Sequence, residues 1–408
     1  MKKNMDIPET TLIIGAGQAG CHAALAMRDA GYVGAITLIG DEAELPYERP
    51  PLSKQMLTDA DVPQVPHFYT AARYSERGIE MLCGTKVIAI DPARQTVSLG
   101  NGGVLSYTNL LLTTGGRARR LSVPGAEHVL YLRTLDDARL LRSKLRPGAR
   151  IVCIGAGVIG LEIASSAASC GCTVTVIEPG VQAMGRSLAP EIAAWLAAWH
   201  QEKGVTLRFG VGVREVTAGG VQCTDGAWIE ADAVIAGIGL IRNTELAEAA
   251  GLVVEGGIVV DEFGRTSVPG IYAAGDVAAF WMPQLGRRML LETWRHAQDH
   301  GAAVGRIIAG QVAPYDEIPW FWTDQHGINL QMAGTLEGVA ATIIRGIMGV
   351  PPFSAWHLGA EGQLIGVVGI GAPRDVRAGQ KLIRTRRPVD PTLLADTSVS
   401  AQLLSRAG

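Results

Sequence analysis

The 408-residue chain lacks a C-x-x-C cysteine pair, a long apolar run and an excess of either charge. Its six cysteines are Cys21, Cys83, Cys153, Cys170, Cys172 and Cys223, and only Cys170-Gly171-Cys172 brings two close together. A chain of this length has no need of a disulfide framework, so the cysteines read as small packing residues in a reducing, cytoplasmic compartment. The formal net charge of −3 argues against the basic field that nucleic-acid binding requires. No apolar run approaches the ~20 residues that span a bilayer. The first residues, MKKNMDIPET, are charged and carry no apolar core, so no secretory leader is expected. No His/Cys cluster suggests a metal site, and no Ser-His-Asp set suggests hydrolysis. At 48% hydrophobic and 18% charged residues, the chain reads as an ordinary globular protein of two or three domains.

What is present is a pair of glycine-rich turns of the same form. The first is TLIIGAGQAG, with Gly15, Gly17, Ala19 and Gly20; the second is RIVCIGAGVIG, with Gly155, Gly157, Ile159 and Gly160. Each lies between an apolar strand and a helix. About 20 residues beyond each, a second strand ends in an acid, Asp41 after AITLIG and Glu178 after TVTVI. Strand, G-x-G-x-x-G, helix, strand and acid predict a dinucleotide site. The first two glycines admit the pyrophosphate, the third lets helix and strand pack closely, and the helix N-terminus attracts the phosphates. Asp41 and Glu178 would accept hydrogen bonds from ribose hydroxyls. A carboxylate at Glu178 repels a 2′-phosphate, and the first base after it is Arg186, which favours NAD over NADP. Two dinucleotides in one chain imply electron transfer between them.

Between the two units lie a proline-rich loop, LPYERPPLSK, a helical stretch, and strands around TKVIAID, QTVSLG and NLLLTTGG. After the second come WIEADAVIAGIGL and GRTSVPGIYAAGDV. From Trp320 the texture changes to strands separated by Gly and Pro turns, then a helix rich in Arg and Leu, which reads as a separate α+β domain.

In this order, LPYERPPLSK, LLLTTGG, YLRTLDDA, IYAAGDV and PWFWTDQ resemble the FAD-dependent NADH:ferredoxin reductases of bacterial oxygenase systems, the putidaredoxin reductase and biphenyl dioxygenase ferredoxin reductase family. The resemblance covers nearly the whole chain. It implies an α/β fold with two Rossmann-like dinucleotide-binding domains on the glutathione-reductase plan, plus a C-terminal α+β domain. The FAD-binding domain would comprise residues 1–115 and 245–319, the NAD-binding domain 116–244, and the third domain 320–408. Thr113 stands where the family commonly has Ala.

The resemblance also implies roles. The first turn, with Asp41, would hold FAD, assisted by Arg49, Val87, Thr114, Gly115, Arg133, Asp276 and Trp294. Lys54 would lie near the isoalloxazine. In the second unit Glu162 and Arg186 would position NADH, with Glu178 on its ribose and Gly239 nearby. Lys54 and Glu162 are the expected catalytic pair. Each has a plainer reading: Lys54 as a surface lysine, Asp276 as a helix cap, Glu162 as an acid favouring the dipole at its helix start, and Trp294, Trp320 and Trp322 as core or domain-interface aromatics. Disulfide reductases of the same plan carry a redox cysteine pair after the first unit, whereas ERPPLSKQML has none. The expected reaction is hydride from NADH to FAD, then single electrons to a [2Fe–2S] ferredoxin serving a Rieske dioxygenase or a cytochrome P450. Arg287, Arg288, Arg384, Arg386 and Arg387 are candidates for a basic docking patch. The alternatives are a rubredoxin reductase, an NADH oxidase using O₂, or a flavoprotein of the apoptosis-inducing-factor type. The sequence leaves oligomeric state open.

Overall fold

The computed structural model describes residues 9–59, 61, 63–282 and 285–404; residues 1–8, counted in the first expected domain, lie outside them. The chain folds into two compact units. The first comprises residues 1–48, 65–117 and 241–317, and the second 49–64, 118–240 and 318–408. Residues 49–64 thus pack in the second unit, whereas the sequence reading places them in the first domain.

At the centre of the first unit is the buried strand Thr10–Ile14, paired in parallel with Ala35–Ile39 on one side and Asn109–Leu112 on the other. Ile79–Leu82 and Ile271–Ala273 complete the five-stranded sheet. Runs such as LLL suit a sheet covered on both faces. The helix Gln18–Asp29 follows the first glycine turn and ends at Gly31, φ +86°. There Tyr32 N–H donates to Met27 C=O and Gly31 N–H to Arg28 C=O, the pairing of a Schellman cap. This helix packs on Trp294–Ile308 through two glycines of the latter. A Cβ on Gly301 would run into the Ala19 carbonyl, and one on Gly305 into that of Ala23. TKVIAID and QTVSLG form a small antiparallel sheet, Val87–Asp91, Thr96–Leu99 and Val104–Ser106.

The second unit repeats the plan. Arg150–Ile154 lies between Thr173–Glu178 and Ala233–Ala236, all parallel, with Thr206–Phe209 and Val129–Leu130 at the edges. The helix Val158–Ser169 ends in the same way as its counterpart. Cys172 N–H donates to Ala167 C=O, and Gly171 N–H, at φ +78°, to Ala168 C=O. Cys170-Gly171-Cys172 is therefore a helix cap, and both thiols are unoxidised. WIEADAVIAGIGL resolves into two strands, Trp228–Glu230 and Ala233–Ala236. In the same unit the C-terminal residues form an antiparallel sheet in the order Trp320–Gln325, Ile328–Gly334, Leu364–Ile370, Val350–Leu358, Ala341–Ile347. The helix Pro373–Thr385 covers it, and a Cβ on Gly379 would come within 2.5 Å of Val367.

Gly301→Ala forces the two glycine-matched helices of the first unit apart. The expected cost is about 1–3 kcal/mol, seen as a thermal midpoint lowered by several degrees. An unchanged midpoint would show that the close approach carries no packing energy.

Candidate functional site

In the first unit the glycine turn has a definite geometry. Gly15 has φ +112°, and a Cβ there would strike the Thr113 carbonyl. A Cβ on Gly20 would strike the Gly15 carbonyl and come within 2.8 Å of Thr113 Oγ1. Thr113 donates from Oγ1 to Gly15 C=O at 2.8 Å. Gly17 differs from its neighbours, because a Cβ there meets nothing within 4 Å. It is the N-cap of the helix, and no side chain caps the first-turn N–H groups. Open space in front of uncapped N–H groups fits a pyrophosphate. Asp41 is exposed just beyond its strand and has no partner among the described residues, so its carboxylate can accept from a ribose.

Other expected FAD contacts also fall in this unit. Thr114 Oγ1 donates to Asn243 C=O at 2.7 Å, and Asn243 Nδ2 donates back to Thr114 C=O at 2.9 Å. Gly115 turns at φ +56°. Val87 is buried at a register shift between its strand and the next. Trp294 is half-buried at the first position of its helix, behind the N-cap Thr293. Asp276 lies in the single 3-10 turn Gly275–Val277, whose N-cap is Ala274, and a strand follows directly. The reading of Asp276 as a helix cap is therefore corrected, since there is no helix to cap. Gly275 N–H donates to Nδ1 of the buried His300 at 3.3 Å, and Arg242 Nε donates to the Asp276 carbonyl at 2.7 Å.

The second turn repeats this geometry. Gly155 has φ +100°, and its Cβ would lie 2.6 Å from Gly237 C=O; a Cβ on Gly160 would strike the Gly155 carbonyl. Gly157 is again an uncapped N-cap with open space before it, its nearest neighbour 4.0 Å away. Glu178 closes the turn. It accepts from Ala156 N–H at 2.8 Å and from Gly180 N–H at 2.7 Å, one bond to each oxygen. Each oxygen keeps acceptor capacity for a ribose hydroxyl. Met184 N–H donates to Ala156 C=O at 2.8 Å, which brings the following loop back to the turn. Arg186, in that loop, is exposed and has no partner among the described residues. Ile159 is largely exposed on the first helical turn, and Gly239, φ +106°, accepts from Arg119 N–H at 2.9 Å.

Glu162 corrects one expectation. It is not in the first turn of its helix, and it is buried at 3% exposure. Lys54, 19% exposed, places its Nζ 2.8 Å from Oε1. Thr323 Oγ1 donates to the same oxygen at 2.7 Å, and Ser53 Oγ donates to Oε2. A buried carboxylate is tolerated when an opposite charge and further donors meet it. Two more bonds fix the proline-rich segment here. Ser166 Oγ donates to Ser53 C=O at 2.6 Å, and Arg49 Nη1 to Arg133 C=O at 2.5 Å. Arg133 in turn donates its N–H to Asp137, beside the capping box of Leu135–Arg142. The sequence alone does not mark Ser53 and Thr323. Both sit inside quoted motifs, LPYERPPLSK and PWFWTDQ, but nothing local marks a hydroxyl that faces a distant acid.

Among the described residues no cluster of His, Cys, Asp and Glu could hold a metal. All six cysteines are free thiols, and burial pushes Cys21 and Cys153 up to about 12, which removes thiolate chemistry at neutral pH. Two dinucleotide turns without a redox thiol define an oxidoreductase that passes electrons between two dinucleotides. The sequence pattern described as pyridine nucleotide-disulphide oxidoreductase matches residues 9–301, and that described as reductase C-terminal matches residues 320–404. The chain belongs to this pyridine nucleotide-disulphide oxidoreductase family and is an enzyme that uses FAD and NAD(H). It is 39% identical to the ferredoxin–NAD(+) reductase component of the p-cumate 2,3-dioxygenase system of Pseudomonas putida, over 95% of this chain and 96% of the relative. It is 38% identical to putidaredoxin reductase of Pseudomonas putida, over 97% and 96%. A ferredoxin reductase for the CYP199A2 system of Rhodopseudomonas palustris superposes with TM-score 0.93 at 37% identity, covering 97% of this chain and all of that one. The reductase in a covalent putidaredoxin reductase–putidaredoxin complex gives 0.93 at 38%, covering 98% of each.

Lys54→Met leaves the buried Glu162 carboxylate without its cation. It is expected to cost about 3 kcal/mol in denaturant unfolding, and Lys54→Met/Glu162→Gln is expected to cost less than the single change. Equal losses would mean that the carboxylate left without its cation carries no penalty. Two histidines predict acid sensitivity. Burial lowers His296 from 6.5 to about 3 and His357 from 6.5 to about 4. Both are neutral when folded, whereas the unfolded chain binds their protons below 6.5. Stability is therefore lost as pH falls from 6.5 toward 4, each group contributing up to about 1.4 kcal/mol per pH unit. Denaturant midpoints at pH 7.5 and pH 5 check this, and His357→Gln is expected to flatten the slope.

Proposed function

We propose that the chain is an NADH:ferredoxin reductase that delivers single electrons to a [2Fe–2S] ferredoxin serving a Rieske dioxygenase or a cytochrome P450. The observation that carries this reading is the repeated, uncapped glycine turn with an acid at each strand end and no redox thiol in reach. The relatives named above include the ferredoxin–NAD(+) reductase component of a dioxygenase system, a putidaredoxin reductase and a ferredoxin reductase for the CYP199A2 system, which supports the reading. In this reading three regions serve separate ends: residues 1–115 with 245–319 for FAD, 116–244 for NAD(H), and 320–408 as a third domain. The compartment is the cytoplasm, consistent with six free thiols. No described helix is long and apolar enough to cross a membrane.

Bound FAD supplies the exchange between a two-electron hydride donor and a one-electron acceptor. The chain's own residues bind and orient. N–H groups after Gly17 and Gly157 take the phosphates, while Asp41 and Glu178 take ribose hydroxyls. Glu178 is held by two backbone donors, so its charge stands at a fixed place and disfavours a 2′-phosphate. Arg49, Val87, Thr114, Gly115, Arg133, Asp276 and Trp294 complete the flavin's contacts, and Ile159, Arg186 and Gly239 those of NADH. Lys54 presents its ammonium to the flavin, held in place by Glu162. The stacked rings of Trp320 and Trp322, 5.3 Å apart, offer an exit route for electrons. Arg287, Arg288, Arg384, Arg386 and Arg387 supply positive charge to meet an acidic ferredoxin.

Stopped-flow mixing of the yellow protein with NADH or NADPH, followed by a [2Fe–2S] ferredoxin, tests the reading. Bleaching by NADH alone, then reoxidation by ferredoxin far faster than by air, is expected. Bleaching that only oxygen reverses would make the protein an oxidase instead.

A further inference from the structure

A line of hydrogen bonds with no place in the cofactor contacts above runs inward to Glu162, wholly within the second unit. His326 Nε2 lies 3.1 Å from His200 Nδ1, and His200 Nε2 lies 2.7 Å from Gln325 Oε1. Gln325 Nε2 donates to Thr323 Oγ1 at 2.9 Å, and Thr323 Oγ1 donates to Glu162 Oε1 at 2.7 Å. The line joins the last turn of the helix Pro190–Glu202, the end of the strand Trp320–Gln325 and the helix Val158–Ser169. Its inner members, His200, Gln325, Thr323 and Glu162, are all buried.

With Gln325 Oε1 on His200 and both rings neutral, the direction of every bond follows. An amide oxygen only accepts, so the hydrogen of His200 sits on Nε2. Burial holds His200 below its ordinary value, so the ring is neutral and Nδ1 bears a lone pair. His326 must then donate from Nε2. Burial, with His200 and Lys203 nearby, lowers His326 to about 4, so it too is neutral and carries that one hydrogen. His326 is held for the purpose at φ +48°, its backbone N–H donating to Ser165 Oγ at 2.7 Å. With its oxygen on His200, Gln325 turns its NH₂ to Thr323. An amide nitrogen offers no acceptor, so the single hydroxyl hydrogen of Thr323 goes to Glu162. Were the amide reversed, its oxygen and Glu162 Oε1 would compete for that one hydrogen, and one of them would face a lone pair.

We propose that His200 is a positioning residue for the Lys54–Glu162 pair, acting through the amide of Gln325 and the hydroxyl of Thr323. The proposal rests on the reading that this pair serves the flavin and NADH. His200 itself touches neither.

The test uses the FAD-loaded full chain. His200→Gln keeps an N–H donor near the Nε2 position, whereas His200→Met fills similar volume without one. With FAD content and thermal midpoint close to those of the parent, His200→Met is expected to slow flavin reduction at saturating NADH by about tenfold, the order of one misdirected hydrogen bond. His200→Gln is expected to restore most of the rate. In a Thr323→Val background, His200→Met is expected to cost nothing more, since the route is already cut. Nitrogen-15 histidine NMR of the parent protein reads the tautomer directly, with the hydrogen on Nε2 of His200 expected. A hydrogen on Nδ1, additive effects of His200→Met and Thr323→Val, or a glutamine variant as slow as the methionine one would each overturn the proposal. Should His200→Met fail to fold, the tautomer and the glutamine variant still decide. A Glu162→Gln protein that reduces its flavin at the parent rate would sink the reading of the pair, while the NMR result would still judge the positioning.

Discussion

A carboxylate withdrawn from water must be met on all sides or it will not stay charged, and the second unit is organised around meeting one. Glu162 draws in an ammonium from the proline-rich segment, a hydroxyl from the same segment and a hydroxyl from the C-terminal sheet. These donors come from two stretches of chain far from the acid's own helix. Their convergence explains why residues 49–64 leave the unit of their sequence neighbours and pack in the other. The Lys54 side chain has 19% exposure against 3% for Glu162, so the pair has a more open side and a closed side. Charge on the open side can meet a ligand, while the closed side is held by hydrogen bonds.

The two sheets show a different constraint, that of close approach. Both glycine turns forbid a Cβ at the first and third glycine and leave space at the second. Both helices that follow end in the same left-handed glycine cap, at Gly31 and Gly171. These positions need no long-range information. The turn, the helix and the cap are written in consecutive residues, which is why the two strand–turn–helix units and the acids that follow them are legible in the sequence.

Other parts of the site were not legible, for physical reasons. From the sequence Glu162 reads as an acid favouring the dipole because it stands near a helix start, and helix position says nothing about what lies across from it. Ser53 and Thr323 are ordinary hydroxyls until the fold sets them against a buried charge. Asp276 was open to a reading as a cap because glycine followed by an acid precedes many helices, but the chain turns into a strand instead. Fold class depends on periodicity and turn chemistry that neighbouring residues share. A buried polar contact depends on residues that are far apart in the chain, and a single sequence does not state which of them meet.

The excursion of residues 49–64 also bears on how such proteins can be recombined. A chimera cut at the evident joints, near 117 and 240, would exchange the second nucleotide unit as one contiguous piece. It would leave Lys54 and Ser53 behind with the parent that donated the first unit. The acid and its cation would then come from different ancestors, matched only if both lineages had kept the same register in the proline-rich segment. Inheritance of this fold is modular along the backbone, but its buried charge pair is not, and a functional swap has to carry two separate pieces of chain.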